Sequence, residues 1–209
     1  MKNLQLEEGR YPQNYFDYVI NIGAYKGFFI EDIIKLHPNA RIIGYEPSIE
    51  SFQQLAIKTK DMEGVSIVNQ ALGDGSHLFF KDTGRDNSSM FVEEDVSTYK
   101  IKSVTLPDII SDCEVDLNKK VAIAMNCEGG ERFMLDDPGS VEVIKNCEHF
   151  AMDTHFRHDS NRNVHFNLLP EWERYNDWIQ ENFKDTNDII YWKSSRKRGH
   201  GFYILRKKT

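Results

Sequence analysis

The chain alternates short continuous apolar runs with stretches whose apolar residues recur every three or four positions. Tyr18-Val19-Ile20-Asn21-Ile22 is the first such run, and an apolar run of this length bounded by glycine predicts a strand buried on both faces, as in a parallel sheet. It ends at Gly23 and Gly27, after which Phe29, Ile30, Ile33 and Ile34 fall on one helical stripe that His37-Pro38-Asn39 stops. The unit then repeats. Ala40-Arg41-Ile42-Ile43-Gly44-Tyr45-Glu46-Pro47 is a second apolar strand, here ending in a carboxylate. Ser48 has the chemistry of an N-cap, Phe52, Leu55 and Ala56 face inward, and Gly64 leads into a strand over 65–70. Three strand-helix units with short joins predict a parallel sheet wound in the right-handed sense.

From Gly73 the period changes to two. Residues 76–81 and 100–106 read as strands around a polar loop from Asp82 to Ser89, which predicts a β insertion near 76–106. Leu106-Pro107 opens a short helix, Val121 to Asn126 is a fourth parallel strand, and Glu128 and Glu131 open the helix after it, where acids interact favourably with the dipole. Residues 148–153 form a fifth strand running into Thr154-His155-Phe156-Arg157-His158. A helix from Leu169 carries Trp172, Tyr175, Trp178 and Ile179, and strands over 188–192 and 201–205 make a terminal hairpin. Tyr11, Tyr15 and Phe16 precede the first strand, as a loosely docked leader or as a flap over the sheet.

Composition narrows the function classes. With 209 residues, 40% apolar, the chain is long enough for a substantial core in one domain. A net charge of −7 argues against a general nucleic-acid binder, which needs a basic surface. The basic group Lys193, Arg196, Lys197 and Arg198 is most simply a solvated hairpin turn that an anionic acceptor would find attractive. The polar, acidic start and the absence of an apolar run near 20 residues predict a cytoplasmic protein with no membrane span. Cys113, Cys127 and Cys147 share no Cys-x-x-Cys spacing and read as reduced thiols.

The candidate chemistry lies where strands end. In a doubly wound sheet ligands bind beyond the carboxyl ends of the strands, and an acid such as Glu46 there can accept hydrogen bonds from both ribose hydroxyls of a nucleoside. The glycine loop offers Gly23-x-x-x-Gly27 and not Gly-x-Gly-x-x-Gly, which disfavours a dinucleotide and a nicotinamide oxidoreductase. A nucleoside cofactor without phosphates fits better.

Asn21-Ile22-Gly23-Ala24-Tyr25-Lys26-Gly27, Tyr45-Glu46-Pro47-Ser48, Asn69-Gln70-Ala71-Leu72-Gly73-Asp74 and Asn126-Cys127-Glu128-Gly129-Gly130-Glu131 resemble, in this order, the successive motifs of FkbM-type class I methyltransferases. The resemblance covers roughly residues 15 to 155 and implies S-adenosylmethionine as cofactor. It also implies a single three-layer α/β/α Rossmann-like domain over 1–209, whose mostly parallel seven-stranded sheet has a central first strand and an antiparallel C-terminal strand. In the implied site the Gly23 and Ala24 backbone meets the methionine end, Glu46 the ribose hydroxyls, and Gln70 and Ala71 the adenine, with Asn21, Tyr25, Gly27, Pro47 and Asn126 as further cofactor-binding residues. The chain departs from the family pattern at Asn21 and Asn126, where aspartate is usual. Each amide keeps the shape and loses the charge.

Methyl transfer to oxygen needs a base for the acceptor proton. The resemblance implies Asp153, with His155 two residues later and Glu128 as further candidates. Asp153, His158 and His165 fit no standard metal spacing, so no metal is expected. The expected activity is O-methylation of a sugar hydroxyl in a glycan or glycosylated metabolite. The rival expectation is a non-catalytic cofactor- or glycan-binding module on the same fold.

Overall fold

Apolar continuity in the first half of the chain translates directly into a central sheet. A computed structural model describes residues 10–82, 90, 91, 98–155, 168–193 and 200–208, with 90, 91, 155, 168–172, 192, 193 and 200 described by their backbone alone. Strand β1 (Tyr18–Ile22) is followed by α1 (Phe28–Leu36), β2 (Arg41–Tyr45), α2 (Ile49–Thr59) and β3 (Val65–Val68). The insertion supplies β4 (Ala71–Leu72), β5 (His77–Lys81), β6 (Met90–Phe91) and β7 (Tyr99–Val104). Then come α3 (Leu106–Asp112), β8 (Val121–Met125), a 3₁₀ helix (Gly130–Asp136), α4 (Pro138–Asn146), β9 (His149–His155), α5 (Leu168–Phe183), β10 (Asn187–Lys193) and β11 (His200–Lys207).

The main sheet has seven strands in the order β10-β11-β9-β8-β1-β2-β3, with β1 central and β11 antiparallel to both neighbours. This is the expected doubly wound architecture. Val19, Ile20, Ile42, Ile43 and Val121 to Met125 have essentially no exposure, as strands covered on both faces require. Ile30, Ile33 and Leu55 seal one side of the sheet with Phe29, Ile34 and Phe52 packed around them. Ile109, Met134, Ile144, Trp178, Ile179 and Phe183 seal the other.

Two sequence expectations needed adjustment. The strand over 65–70 breaks at Asn69-Gln70, and Ala71-Leu72 leaves the main sheet to pair in parallel with Ser103-Val104 of the insertion. The single helix expected after β8 is two. Asp137 accepts from Gly139 N and Ser140 N at 3.1 and 3.0 Å, and Pro138 occupies the first turn, so a fresh helix starts there.

The leading aromatics are firmly docked. Tyr15 donates to Glu148 Oε1 at 2.7 Å, Tyr11 Oη lies 3.2 Å from His149 Nδ1, and Phe16 is 2% exposed. Glu148 immediately precedes β9 and His149 opens it, so this cluster closes the amino ends of the strands, the pole opposite their carboxyl rim, and is no flap over that rim. No helix among the described residues is long and apolar enough to cross a membrane. The three cysteines are free thiols, Cys113 and Cys147 fully inside.

Candidate functional site

Strand register assembles the site. Ile22 pairs with Tyr45 and with Met125, Tyr45 pairs with Val68, and Met125 pairs with Met152. The next residue on each strand therefore belongs to one row along the carboxyl rim, namely Asn69, Glu46, Gly23, Asn126 and Asp153. Four of those five were singled out from sequence alone. Alternation of side chains along a strand makes this row the first at which the chain can turn away and leave room for a ligand.

Gly23 is fixed by contact. Its φ is +80°, and a Cβ there would stand 1.8 Å from the Asn126 carbonyl oxygen. Gly23 N and Ala24 N both donate to Tyr45 O at 2.9 Å, tying the loop to β2. Tyr25 follows with φ +50°, and Gly27, φ +80°, precedes α1, with Leu55 Cδ1 only 2.8 Å from where its Cβ would lie. The loop thus hugs the sheet with its backbone.

Glu46 is 6% exposed, and its two oxygens take different partners: Oε2 accepts from Tyr25 N at 2.7 Å and Oε1 from Ser48 N at 2.8 Å. Burial pushes its carboxyl up to about 7, against the downward pull of those two N–H donors, and nearby Asp82 adds to the rise. Each carboxylate oxygen has a second lone pair, so capacity remains for two hydroxyl donors.

The insertion clamps the same loop. Ser48 caps α2 by accepting from Ser51 N at 3.1 Å and donates to Asp82 at the end of β5. Tyr99, opening β7, donates to Pro47 O at 3.0 Å and accepts from Ile49 N at 3.1 Å. Asn69 Nδ2 donates to Glu46 O at 2.7 Å. Gln70 is half-buried beside this clamp, whereas the Ala71 methyl packs with Phe80 and Ile101 and leaves only backbone for a ligand.

On the β8 side Asn21 is 2% exposed; its Nδ2 reaches Ala124 O at 3.4 Å while its Oδ1 has no partner. Asn126 Oδ1 is likewise buried without a partner. Two orphaned acceptors at neighbouring strand ends call for a donor, since an unmet buried oxygen costs about 1–3 kcal/mol. Glu128 and Gly129 follow with φ +52° and +105°, a left-handed pair that turns the chain off β8. Sequence reasoning placed the acid beneath that turn at a helix start and missed its burial. Glu131 has no exposure, and its Oε2 accepts from Gly129 N at 2.8 Å and from Cys127 Sγ at 3.4 Å. The available signal was its spacing, four residues after Cys127 and three before buried Met134, which puts it on the apolar stripe. Burial first, then the Glu131 charge, raises the Cys127 thiol well above its ordinary range.

Asp153 is 5% exposed on β9 and paired to Phe202 of β11. His155 ends β9 opposite His200; His158 and His165, the aromatic side chains of Phe156, Phe166 and Trp172, which are compatible with stacking on a sugar face, and the basic turn 193–198 lie outside the described residues or side chains. A separate cavity of about 460 Å³ lined by Leu135, Glu173, Arg174, Asp177, Trp178 and Glu181 includes none of the rim residues.

S-adenosylmethionine offers ammonium and ribose hydroxyl donors and no phosphate. The residues present fit it: Asn21 Oδ1 and Asn126 Oδ1 need donors, Glu46 has acceptor capacity left, and Gly23 keeps the loop flat.

No known family profile matches the chain, and no curated protein matches it. Solved structures do. The chain is similar to the methyltransferase FkbM from Methylobacillus flagellatus KT, with 16% identity and a TM-score of 0.61 over 97% of this chain and 47% of that one, so it spans about half that protein's length. It is similar to a candidate rRNA methylase from Clostridium thermocellum, at 9% identity and a TM-score of 0.59 over 95% and 89% of the two chains. It is also similar to a candidate methyltransferase from Streptococcus mutans in complex with SAH, at 6% identity and a TM-score of 0.53 over 94% and 90%. At these identities the likeness is one of fold: the chain has the Rossmann-like fold of these methyltransferases.

Proposed function

We propose that the chain is an S-adenosylmethionine-dependent O-methyltransferase whose acceptor is a sugar hydroxyl of a glycan or glycosylated metabolite. The observation that carries the cofactor is the rim row, where a buried carboxylate with spare acceptor capacity, a side-chain-free glycine and the orphaned Asn126 oxygen stand side by side, with the orphaned Asn21 oxygen two residues before Gly23 on β1. The methyl donor, the sugar acceptor and the role of each residue are our reading, supported by that row, by the fold and by the order of the four motifs.

Bound S-adenosylmethionine supplies an electrophilic methyl on a sulfonium. The chain's own part is binding, alignment and proton removal. Glu46 accepts the ribose hydroxyls while Tyr25 N and Ser48 N hold its carboxylate still. Asn21 and Asn126 accept from the ammonium end, and the Gly23-Ala24 backbone lines the loop. Gln70 and the Ala71 backbone flank the base. Asp153, in the same row two strands from β1, takes the acceptor proton on its carboxylate, with His155 beyond it and Glu128 on the neighbouring turn orienting the acceptor.

One observation favours a second reading, a non-catalytic binding module: both polar residues ending β1 and β8 are amides and not carboxylates. Calorimetry with S-adenosylmethionine, followed by a screen of glycans, sugar nucleotides and RNA for a mass gain of one methyl, separates them. Binding with methyl gain on a sugar is expected. Binding without transfer to any acceptor would favour a cofactor-binding module, transfer to RNA alone would replace the acceptor class, and no binding of S-adenosylmethionine would overturn the enzyme reading and leave the degenerate module.

A further inference from the structure

The turn that carries Glu46 has little structure of its own. It joins Tyr45, the last residue of β2, to Ile49, the first of α2, and Pro47 in its middle brings no N–H. Its backbone groups must therefore find partners on other elements. Glu46 N donates to Val68 O at 3.1 Å and Glu46 O accepts from Asn69 Nδ2 at 2.7 Å, so the end of β3 holds the near side.

The far side is held by the insertion. Tyr99 Oη donates to Pro47 O at 3.0 Å and accepts from Ile49 N at 3.1 Å, so one hydroxyl bridges the residues on either side of Ser48. Asn69 Nδ2 also reaches Pro47 O, at 3.3 Å. Ile49 N is one of the orphan donors that open a helix, and Tyr99 is the acceptor it finds. The ring behind that hydroxyl is anchored, since Tyr99 pairs with Phe80 across β5 and β7 with centroids 5.5 Å apart. Burial pushes the phenol up to about 12, the Ile49 N–H pulls the other way, and the Asp82 and Glu46 charges add to the rise. The hydroxyl thus keeps the proton that it donates.

Pro47 O and Ser48 N belong to one peptide unit, and that unit is planar. Its oxygen is gripped by Tyr99 while its N–H donates to Glu46 Oε1 at 2.8 Å. Fixing one end of the plane fixes the direction of the other, and a hydrogen bond weakens steeply once its angle closes. Without that N–H the carboxylate would pivot on its other contact, Tyr25 N at Oε2.

We propose that Tyr99 is a positioning residue for the cofactor: by bridging Pro47 O and Ile49 N it holds the Ser48 N–H on Glu46 and keeps that carboxylate aimed at the two ribose hydroxyls. The inference rests on the cofactor reading above. Tyr99 touches neither cofactor nor acceptor in this role, and through it the β insertion becomes a support of the ribose site.

The test is calorimetric and needs no acceptor. Affinities are measured for S-adenosylmethionine and for the same molecule built on 2′,3′-dideoxyribose, with the native chain and with Tyr99→Phe. The variant keeps the ring against Phe80 and removes the bridge. S-adenosylmethionine should weaken about five- to tenfold, the loss expected when hydrogen bonds to a carboxylate are misaligned. The dideoxy molecule has no hydroxyls for Glu46 and should change by less than about twofold, so the preference for the ribose form narrows. A merely structural role predicts one common factor for both ligands, or no change in either, and each of those results overturns the proposal. Should Tyr99→Phe not fold, Ile49→Pro removes the N–H that Tyr99 accepts, at the first helical position, where proline is well tolerated. That variant must narrow the same preference, and an unmoved preference sinks the proposal. A native chain that binds neither molecule is a different outcome, and it removes the cofactor reading itself.

Discussion

The carbonyl oxygen of Asn126 occupies the space in which a side chain on Gly23 would begin, 1.8 Å from an ideal Cβ at that position. Two central strands therefore end in direct backbone contact, and the loop that leaves β1 has no freedom to carry a methyl group. Gly23→Ala should lower unfolding free energy by roughly 2–4 kcal/mol, from overlap plus a left-handed φ, and should abolish cofactor binding. Gly129→Ala makes the contrast. Nothing lies within 4 Å of its Cβ position, so only the conformational cost of φ +105° remains, about 1 kcal/mol. Urea unfolding of both variants checks the ranking.

Glu46→Ala removes the charged acceptor for two hydroxyls and should weaken S-adenosylmethionine binding by roughly 1.5–3 kcal/mol, read by calorimetry. An unchanged dissociation constant would refute the ribose placement.

The same carboxyl makes a pH prediction. Its value rises from 4.5 to about 7 on folding, so the folded chain holds the proton more tightly than the unfolded one. This group's contribution to stability is then fully present below about pH 4.5 and is lost as pH rises through about 7. Denaturation midpoints of native protein and Glu46→Gln across that window should show the native protein losing ground to the variant. A native protein that gains relative to the variant would reverse the sign and the assignment.

Asp153→Asn keeps shape and removes proton affinity. Turnover should fall about 10²–10⁴-fold with cofactor affinity nearly constant, and His155→Ala should do less. The opposite ranking would give the base to His155, and full activity in both would leave Glu128 or positioning alone. Activity is expected to survive excess chelator in each case.

Tyr15→Phe is the control at the opposite pole. Losing the bond to Glu148 should cost about 1 kcal/mol of stability and leave cofactor affinity untouched. A matching loss of affinity would contradict the separation of the two poles.

Most of the rim was legible because the hydrophobic period is a local property that marks where each strand ends. Val19 to Ile22, Ile42 to Tyr45 and Val121 to Met125 are apolar on both faces, which dictates central parallel strands, and their last residues then fall in one row whatever the loops do. Glu131 escaped because an acid near a helix start is usually solvated, and only its alignment with Cys127 and Met134 places it inside. The Tyr99 and Asp82 clamp on Pro47 and Ser48 escaped for another reason: it joins residues about fifty and thirty apart in the chain, and no short-range pattern encodes such a meeting. The leader was misjudged in strength. Its three aromatics dock because Glu148 and His149 offer polar partners at the amino ends of the strands, a pairing visible only across more than a hundred residues.

The placement of β11 between β9 and β10 bears on the order in which the protein becomes competent. During synthesis, chains tend to fold from the amino end forward. Strands β1, β2, β3 and β8, with the insertion, can assemble while residues 200–207 are still unmade, and Asp153 then lies on an open sheet edge awaiting Phe202. A nascent chain at that stage holds every residue assigned to the cofactor and has not yet fixed the residue assigned to the proton. Ligand capture would thus mature before reactivity, so a chain stalled near residue 195 should bind S-adenosylmethionine and be unable to transfer its methyl.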